Sequence, residues 1–173
     1  MQERCKIGVV IGNANSPHAI NIMKGIDQAS RECDVQLMYF MNVSSPYTAQ
    51  LYPPDTSIGW DYQKSAIYDY ARYVKADVLI MTYGMMSIFM KSDYGKQYLE
   101  YFRNVPCVLI NEQTDRPNWT SIIVDNYNGM YELVEHLVRD HGYHNFAFLA
   151  GPPGNTDACQ RKRAFLDVMK KYD

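Results

Sequence analysis

Short apolar runs, each ending in a polar residue and leading into an amphipathic stretch, restrict this chain to one kind of architecture. Lys6–Ile11 stops at Gly12-Asn13-Ala14-Asn15, and Val35–Met41 stops at Asn42. Asp77–Met81 ends at Thr82-Tyr83-Gly84, and Cys107–Ile110 ends at Asn111. Ser121–Val124 runs into Asp125-Asn126, and Phe146–Ala150 runs into Gly-Pro-Pro-Gly. Continuous apolar runs mark strands buried on both faces, as in a parallel sheet. Between them, apolar residues recur at helical spacing, as in Ala19, Ile22, Met23, Ile26 and Ala29. The same spacing appears in Ile67, Tyr70, Ala71 and Val74, and in Met130, Leu133, Val134, Leu137 and Val138. Strands alternating with helices predict a doubly wound, mainly parallel α/β sheet. In such sheets the polar carboxyl ends of the strands are where small molecules bind.

Local signals place the helix ends. Ser16-Pro17 supplies an N-cap followed by proline at the first helical position. Gly142 closes the helix predicted over Asn128–Arg139. Tyr98, Leu99 and Phe102 face inward on a helix between Ser87 and Arg103, whose middle Gly95 weakens. A last helix follows Asn155-Thr156, with Ala158, Phe165, Val168, Met169 and Tyr172 apolar. The stretch Asn42–Gly59, with Pro46, Pro53 and Pro54, is long for a connection, and its Tyr47–Trp60 portion offers rings to stack on a ligand.

Composition excludes several classes. The 173 residues are 47% hydrophobic and 21% charged, ordinary for a soluble globular protein. A net charge of −2 gives no electrostatic footprint for nucleic acid. No apolar run approaches the ~20 residues of a membrane helix. The first strand begins within a few residues of Met1, leaving no room for a signal peptide, so a cytoplasmic location is expected. Cys5, Cys33, Cys107 and Cys159 form no C-x-x-C pair and read as free, buried thiols. The 15 tyrosines suit interfaces and ligand pockets, having an apolar body and a polar tip.

Five segments in order resemble one family. IGVVIGNANSPHAINIMKGIDQAS resembles an opening strand, polar loop and L-x-x-G-I-x-x-A helix, with Met23, Gly25, Ile26 and Ala29 filling the pattern. ADVLIMTYG resembles V-D-G-I-I-L, with Val78 in the glycine position, and VPCVLIN resembles I-P-V-V-x-I-D, with Asn111 where Asp is common. VDNYNGMYELVEHLVRDHGYHNFAFLAGPP resembles D-N-x-x-G-x-x-x-A-x-x-H-L-x-x-x-G-H-x-x-I-A-F-I-x-G-P. Arg161–Phe165 resembles R-x-x-G-F, with Ala164 in the glycine position. These segments together resemble the effector-binding domain of lactose-repressor-type regulators, within the type 1 periplasmic-binding-protein fold.

The resemblance implies a three-layer sandwich with parallel strand order 2-1-3-4-5, plus the start of a second similar lobe. Residues 1–126 would form the first lobe, 127–144 a helix and connection, and 145–173 the first strand and helix of the second lobe. The helix-turn-helix that such repressors carry before their first strand has no counterpart in these residues. The resemblance therefore implies a non-enzymatic, small-molecule-sensing part of a longer signalling or regulatory protein, without direct nucleic-acid contact. Ligand would bind between lobes and bias an output such as a diguanylate cyclase, a kinase or a transcription regulator. A homodimer is expected. A ligand-free dimerisation module of the same fold is the alternative, and an α/β enzyme a remoter one.

The candidate ligand residues are Asn13, His18, Tyr83, Asn111, Asp125 and Arg161. Asn13 and Tyr83 lie at the expected switch point of the sheet. His18 stands where the family often has an aromatic residue. Asp125 borders a strand–helix junction where Asn126 or Asn128 would equally serve as a cap. Arg161 carries a fork able to grip two hydroxyls or a carboxylate, on a face shared with Lys162 and Arg163. Neutral hydrogen-bonders with one carboxylate and one guanidinium suit a sugar or nucleoside. His136, His141 and His144 are not expected to hold a metal, because Gly142 breaks the helix between them. No cofactor fingerprint and no acid–base pair is visible.

Overall fold

Five strands and the helices that follow them are described by a computed structural model covering residues 4–43, 62–86, 92–151, 153 and 155–172. The chain runs β1 (Lys6–Ile11), α1 (Pro17–Cys33), β2 (Gln36–Met41) and α2 (Tyr62–Asp69), the last extended by a tight turn over Tyr70–Arg72. Then come β3 (Val78–Met81), a one-turn helix α3 (Tyr83–Met86), α4 (Ser92–Tyr101), β4 (Cys107–Ile110) and β5 (Trp119–Ile122). Two helices follow, α5 (Asn126–Arg139) and α6 (Thr156–Tyr172). The Tyr47–Trp60 segment read as a stacking loop lies outside the described residues.

All strand pairs are parallel, in the order β2-β1-β3-β4-β5. That is the order the resemblance implied. Val9, Val10 and Ile11 of the central strand are at most 1% exposed, which explains why that run carries no alternation. One core cluster joins Val10, Phe40, Leu79, Met81 and Leu109 of the sheet to Tyr68 of α2, Tyr98 of α4 and Phe102 just past it.

Strand limits moved where hydrogen bonds were already committed. The Val35 N–H bonds to Ser30 O in the turn that caps α1, so β2 starts one residue later than the sequence predicts. β5 lies two residues earlier than the predicted Ser121–Val124, with Trp119 opposite Cys107 and Ile122 opposite Ile110. The Trp119 indole N–H donates to Val105 O, and its ring carries the Arg116 guanidinium 4.4 Å from the centroid. Ile123 and Val124 lie past the end of β4 and are half exposed.

The chain divides into two compact units, Met1–Ile123 and Val124–Asp173. In the second unit α5 packs on α6 through Val134, Val138 and Val168. Residues 146–150, read as a sixth strand, pair with no described strand. A strand exists only through a ladder partner, and here the segment is held by rings instead. Phe146 and Phe148 lie 6.3 and 4.7 Å from Phe165, while Leu149 is wholly exposed.

The cysteines correct a further expectation. Cys107 alone is buried, whereas Cys5, Cys33 and Cys159 are exposed. Cys5 precedes the β1 ladder, Cys33 closes α1, and Cys159 sits in the first turn of α6. Only the cysteine inside the sheet is covered on both faces.

Candidate functional site

The carboxyl ends of β1, β3 and β4 bring polar residues together in the first unit. β1 ends at Gly12, whose backbone presses on the next crossover. A Cβ built there would lie 2.7 Å from the Met85 carbonyl carbon and oxygen. The Gly12 N–H donates to the buried Thr82 Oγ1 at 3.1 Å. Asn13 then turns into the left-handed region at φ 51°. Its N–H donates to Asn42 Oδ1 at 2.7 Å, and the Ala14 N–H donates to Asn42 O at 2.8 Å. Asn42, at the end of β2, thus holds the loop from both its side chain and its backbone. It is 6% exposed, and its Nδ2 has no hydrogen-bond partner among the described residues.

Ser16 caps α1 by accepting from the Ala19 N–H at 3.2 Å, so the cap reading of that residue holds. His18 stands in the first turn of α1, and its Nε2 meets Asn111 Nδ2 at 3.0 Å. Asn111 itself has φ 60°, and its N–H is fixed to Ile122 O at 2.8 Å. Two of the predicted ligand residues, from segments far apart in the chain, therefore touch.

Tyr83 is less available than its position implied. Its ring packs against the central core, and its hydroxyl lies where a Cβ on Gly95 would fall, 2.6 Å away. Burial, and secondarily the Glu112 charge, raise its pKa, keeping it a neutral donor. Gly95 is thus the small residue that admits the Tyr83 hydroxyl, in addition to weakening α4.

Asp125 and Arg161 belong to the second unit. Asp125 caps α5, accepting from the Asn128 N–H at 3.1 Å and from Asn128 Nδ2 at 2.7 Å. Those two bonds lower its pKa and hold it charged. The cap is therefore Asp125 itself, with Asn128 as the donor. Arg161 Nη1 donates to Oδ1 of the buried Asn126. Asn126 in turn spends its Nδ2 on Val124 O at 3.2 Å. The arginine is partly buried and tethered, unlike its exposed neighbours Lys162 and Arg163.

Sequence reading missed Asn42, Thr82 and Asn126 as builders of these surfaces. Asn42 and Thr82 directly follow a strand's carboxyl end, the same signal that singled out Asn13 and Asn111, whereas Asn126 opens α5 four residues past β5. At the opposite, amino end of the sheet a depression of 270 Å³ lies between Arg72, Tyr101 and apolar Val74, Ala76 and Val105. Its guanidinium rests 3.6 Å over the Tyr101 ring. It shares no residue with the polar ends described above.

No protein-family model matches the chain. Over 114 residues it is 26% identical to the probable HTH-type transcriptional repressor ExuR of Bacillus subtilis (strain 168), matching 60% of this chain and 34% of that protein. A sugar-binding transcriptional regulator of the LacI family from Escherichia coli, solved with phosphate, has a TM-score of 0.60 at 15% identity. That alignment covers 96% of this chain and 53% of the regulator. The lac repressor dimer bound to operator and the anti-inducer ONPF gives 0.67 at 18% identity, covering 99% and 52%. The chain spans about half the length of these structures and about one third of the curated relative. With five parallel strands in the order 2-1-3-4-5, this chain has the effector-binding fold of lactose-repressor-type regulators.

Proposed function

We propose that the chain is the small-molecule-sensing part of a bacterial transcription regulator, acting in the cytoplasm and without catalysis of its own. The observation that carries this is the Asn111–His18 contact at the carboxyl ends of the parallel strands. It presents an amide and an imidazole, beside the Asn13 turn, where open α/β sheets take ligands. These neutral groups suit the hydroxyls of a sugar or the edge of a nucleoside. They do not suit an apolar ligand, since each buried polar group left unpaired costs about 1–3 kcal/mol.

In the second unit we assign Asp125 and Arg161 as ligand residues as well. Arg161 is the stronger candidate, because Asn126 already holds its guanidinium in one orientation. Asp125 doubles as cap and acceptor. Ligand binding would shift a two-state equilibrium and bias the attached output. The curated relative and most of the similar solved structures are repressors or transcription regulators, so the output we assign is transcriptional. They lend no support to a diguanylate cyclase or kinase. Sugar recognition by the Escherichia coli regulator and the dimeric state of the lac repressor support a sugar-type effector and a homodimer here.

A thermal-shift screen of the full-length regulator against sugars, nucleosides and amino acids tests the reading. A ligand at one hundred times its dissociation constant adds about 2.7 kcal/mol of stability. A hit that Asn111→Ala abolishes supports the proposal. Silence across the screen overturns it and favours a ligand-free dimerisation module.

A further inference from the structure

Of the three histidines near the end of α5, Gly142 separates only His144 in the sequence, and the fold brings the other two together. Gly142 has φ 67°, and its N–H bonds to Val138 O at 3.0 Å. Tyr143 N bonds to Leu137 O at 3.2 Å, completing a left-handed helix stop. On a continuing helix, residues five apart would point in divergent directions. His141 stands at the end of the helical path, just before the reversal, and its ring reaches back to His136, with Nε2 facing Nε2 at 3.0 Å. The rings meet edge to face with centroids 4.7 Å apart.

Each histidine is fixed from behind. Asp140 Oδ2 lies 2.7 Å from His136 Nδ1, and the Tyr143 ring stacks on His141 at 5.7 Å and 13°. The carboxylate accepts a hydrogen bond from His136 Nδ1–H, leaving the Nε2 lone pair pointing at His141. Two bare lone pairs would repel, so His141 Nε2–H donates across the gap. The His136 side chain is 51% exposed, so solutes reach it.

We propose that His136 and His141 form a divalent-cation site of the imidazole-preferring class, represented by zinc, with Asp140 as the positioning residue. A zinc–nitrogen bond of about 2.0–2.1 Å and a tetrahedral angle separate two ligand nitrogens by roughly 3.3–3.4 Å. The present gap is within a few tenths of an ångström of that value. On binding, the His141 proton moves to Nδ1, both Nε2 lone pairs go to the metal, and no net charge leaves the rings. A carboxylate on the far nitrogen of a ligating histidine is a recurring device for orienting it. Asp140 is also bound by Arg139, through Nε at 2.8 Å, so the guanidinium charge beside the site is matched. Among the described residues no group of three or more His, Cys, Asp or Glu is placed to hold a metal. The site is therefore a two-imidazole one, with water in the remaining positions. Imidazole pairs favour zinc and copper over magnesium, which prefers oxygen.

Competition of the full chain against a chromogenic zinc chelator decides the matter. The expected result is one zinc per chain at neutral pH and none in response to magnesium. His141→Gln should weaken binding at least tenfold with an unchanged far-ultraviolet circular dichroism spectrum, because His141 is an exposed turn residue. Asp140→Asn should weaken it about 10–100-fold, the usual effect of removing such a partner. His144→Gln should change nothing. Absence of zinc binding by the parent chain, or His141→Gln binding as tightly as the parent, overturns the proposal.

Discussion

Asn111 Nδ2 sits 3.0 Å from His18 Nε2, tying the end of β4 to the first turn of α1 across 93 positions of sequence. An amide nitrogen donating to Nε2 requires the ring proton on Nδ1. Replacing either residue by Ala should weaken the effector identified by screening. The double replacement should cost less than the sum of the two, with a coupling of about 0.5–3 kcal/mol. Isothermal titration of the four proteins in the cycle measures this, and strict additivity would separate the two residues functionally.

Gly12→Ala should destabilise the first unit. The added Cβ would meet the Met85 backbone at 2.7 Å and Met86 N at 2.9 Å, and main chain cannot rotate away as a side chain can. Overpacking of this kind costs about 1–3 kcal/mol. The urea midpoint of the full chain should fall accordingly.

Gly95→Ala has two opposed effects. Alanine is favoured over glycine in a helix by roughly 1 kcal/mol, but here its Cβ would lie 2.6 Å from Tyr83 Oη. Tyr83→Phe removes that oxygen and leaves the ring carbon at 3.5 Å, an ordinary contact. The two changes together should therefore gain stability, while Gly95→Ala alone should gain little or lose. Thermal unfolding of the three variants gives the sign.

The strand positions were legible because buried parallel strands leave unbroken apolar runs, and Cys107–Ile110 and Lys6–Ile11 fall within the observed limits. β5 was misplaced because Ile123 and Val124 are as apolar as their neighbours. What ended the strand was the length of β4, a partner the local sequence does not encode. The carboxyl-end rule found Asn13 and Asn111, but Asn42 was read as the start of a loop. Its role depends on β2 lying beside β1, a tertiary fact. Tyr83 shows the same limit in reverse, since its backbone position was right while the gap above Gly95 drew its hydroxyl elsewhere. His141 was dismissed because Gly142 breaks the helix, yet His141 precedes that break and its ring meets His136.

Thiol chemistry should separate the cysteines. Burial pushes the Cys107 pKa up to about 12, with Arg116 opposing weakly, so it is a protonated and covered thiol at neutral pH. Cys5, Cys33 and Cys159 are exposed. A thiol-titrating disulfide reagent should consume three thiols in the native chain and the fourth only after denaturation.

Acid should loosen the α5–α6 pair. Glu135 accepts from Lys171 Nζ at 2.6 Å and from the Tyr172 hydroxyl at 2.9 Å, which lowers its pKa below the usual carboxylate value. A depressed carboxylate stabilises the fold above its unfolded pKa and loses that contribution as pH falls through the folded one. The same pair raises the Lys171 pKa, so its share persists to high pH and is lost only as pH rises through that elevated value. Glu135→Gln should flatten the acid side of the unfolding midpoint plotted against pH. An unchanged profile would show that the contact contributes nothing.

The left-handed turns at Asn13 and Asn111 have an evolutionary consequence. Glycine would occupy both positions with less strain, since an L-residue there costs on the order of 1 kcal/mol. Asparagine is the best tolerated of the residues that bring a side chain, so on the proposed function keeping it at both turns of this carboxyl edge favours recognition over robustness. Laboratory selection for heat resistance alone should drift these positions to glycine, giving sturdier proteins that, on the proposed function, no longer sense. Selection for signalling should hold both amides and seek its stability elsewhere.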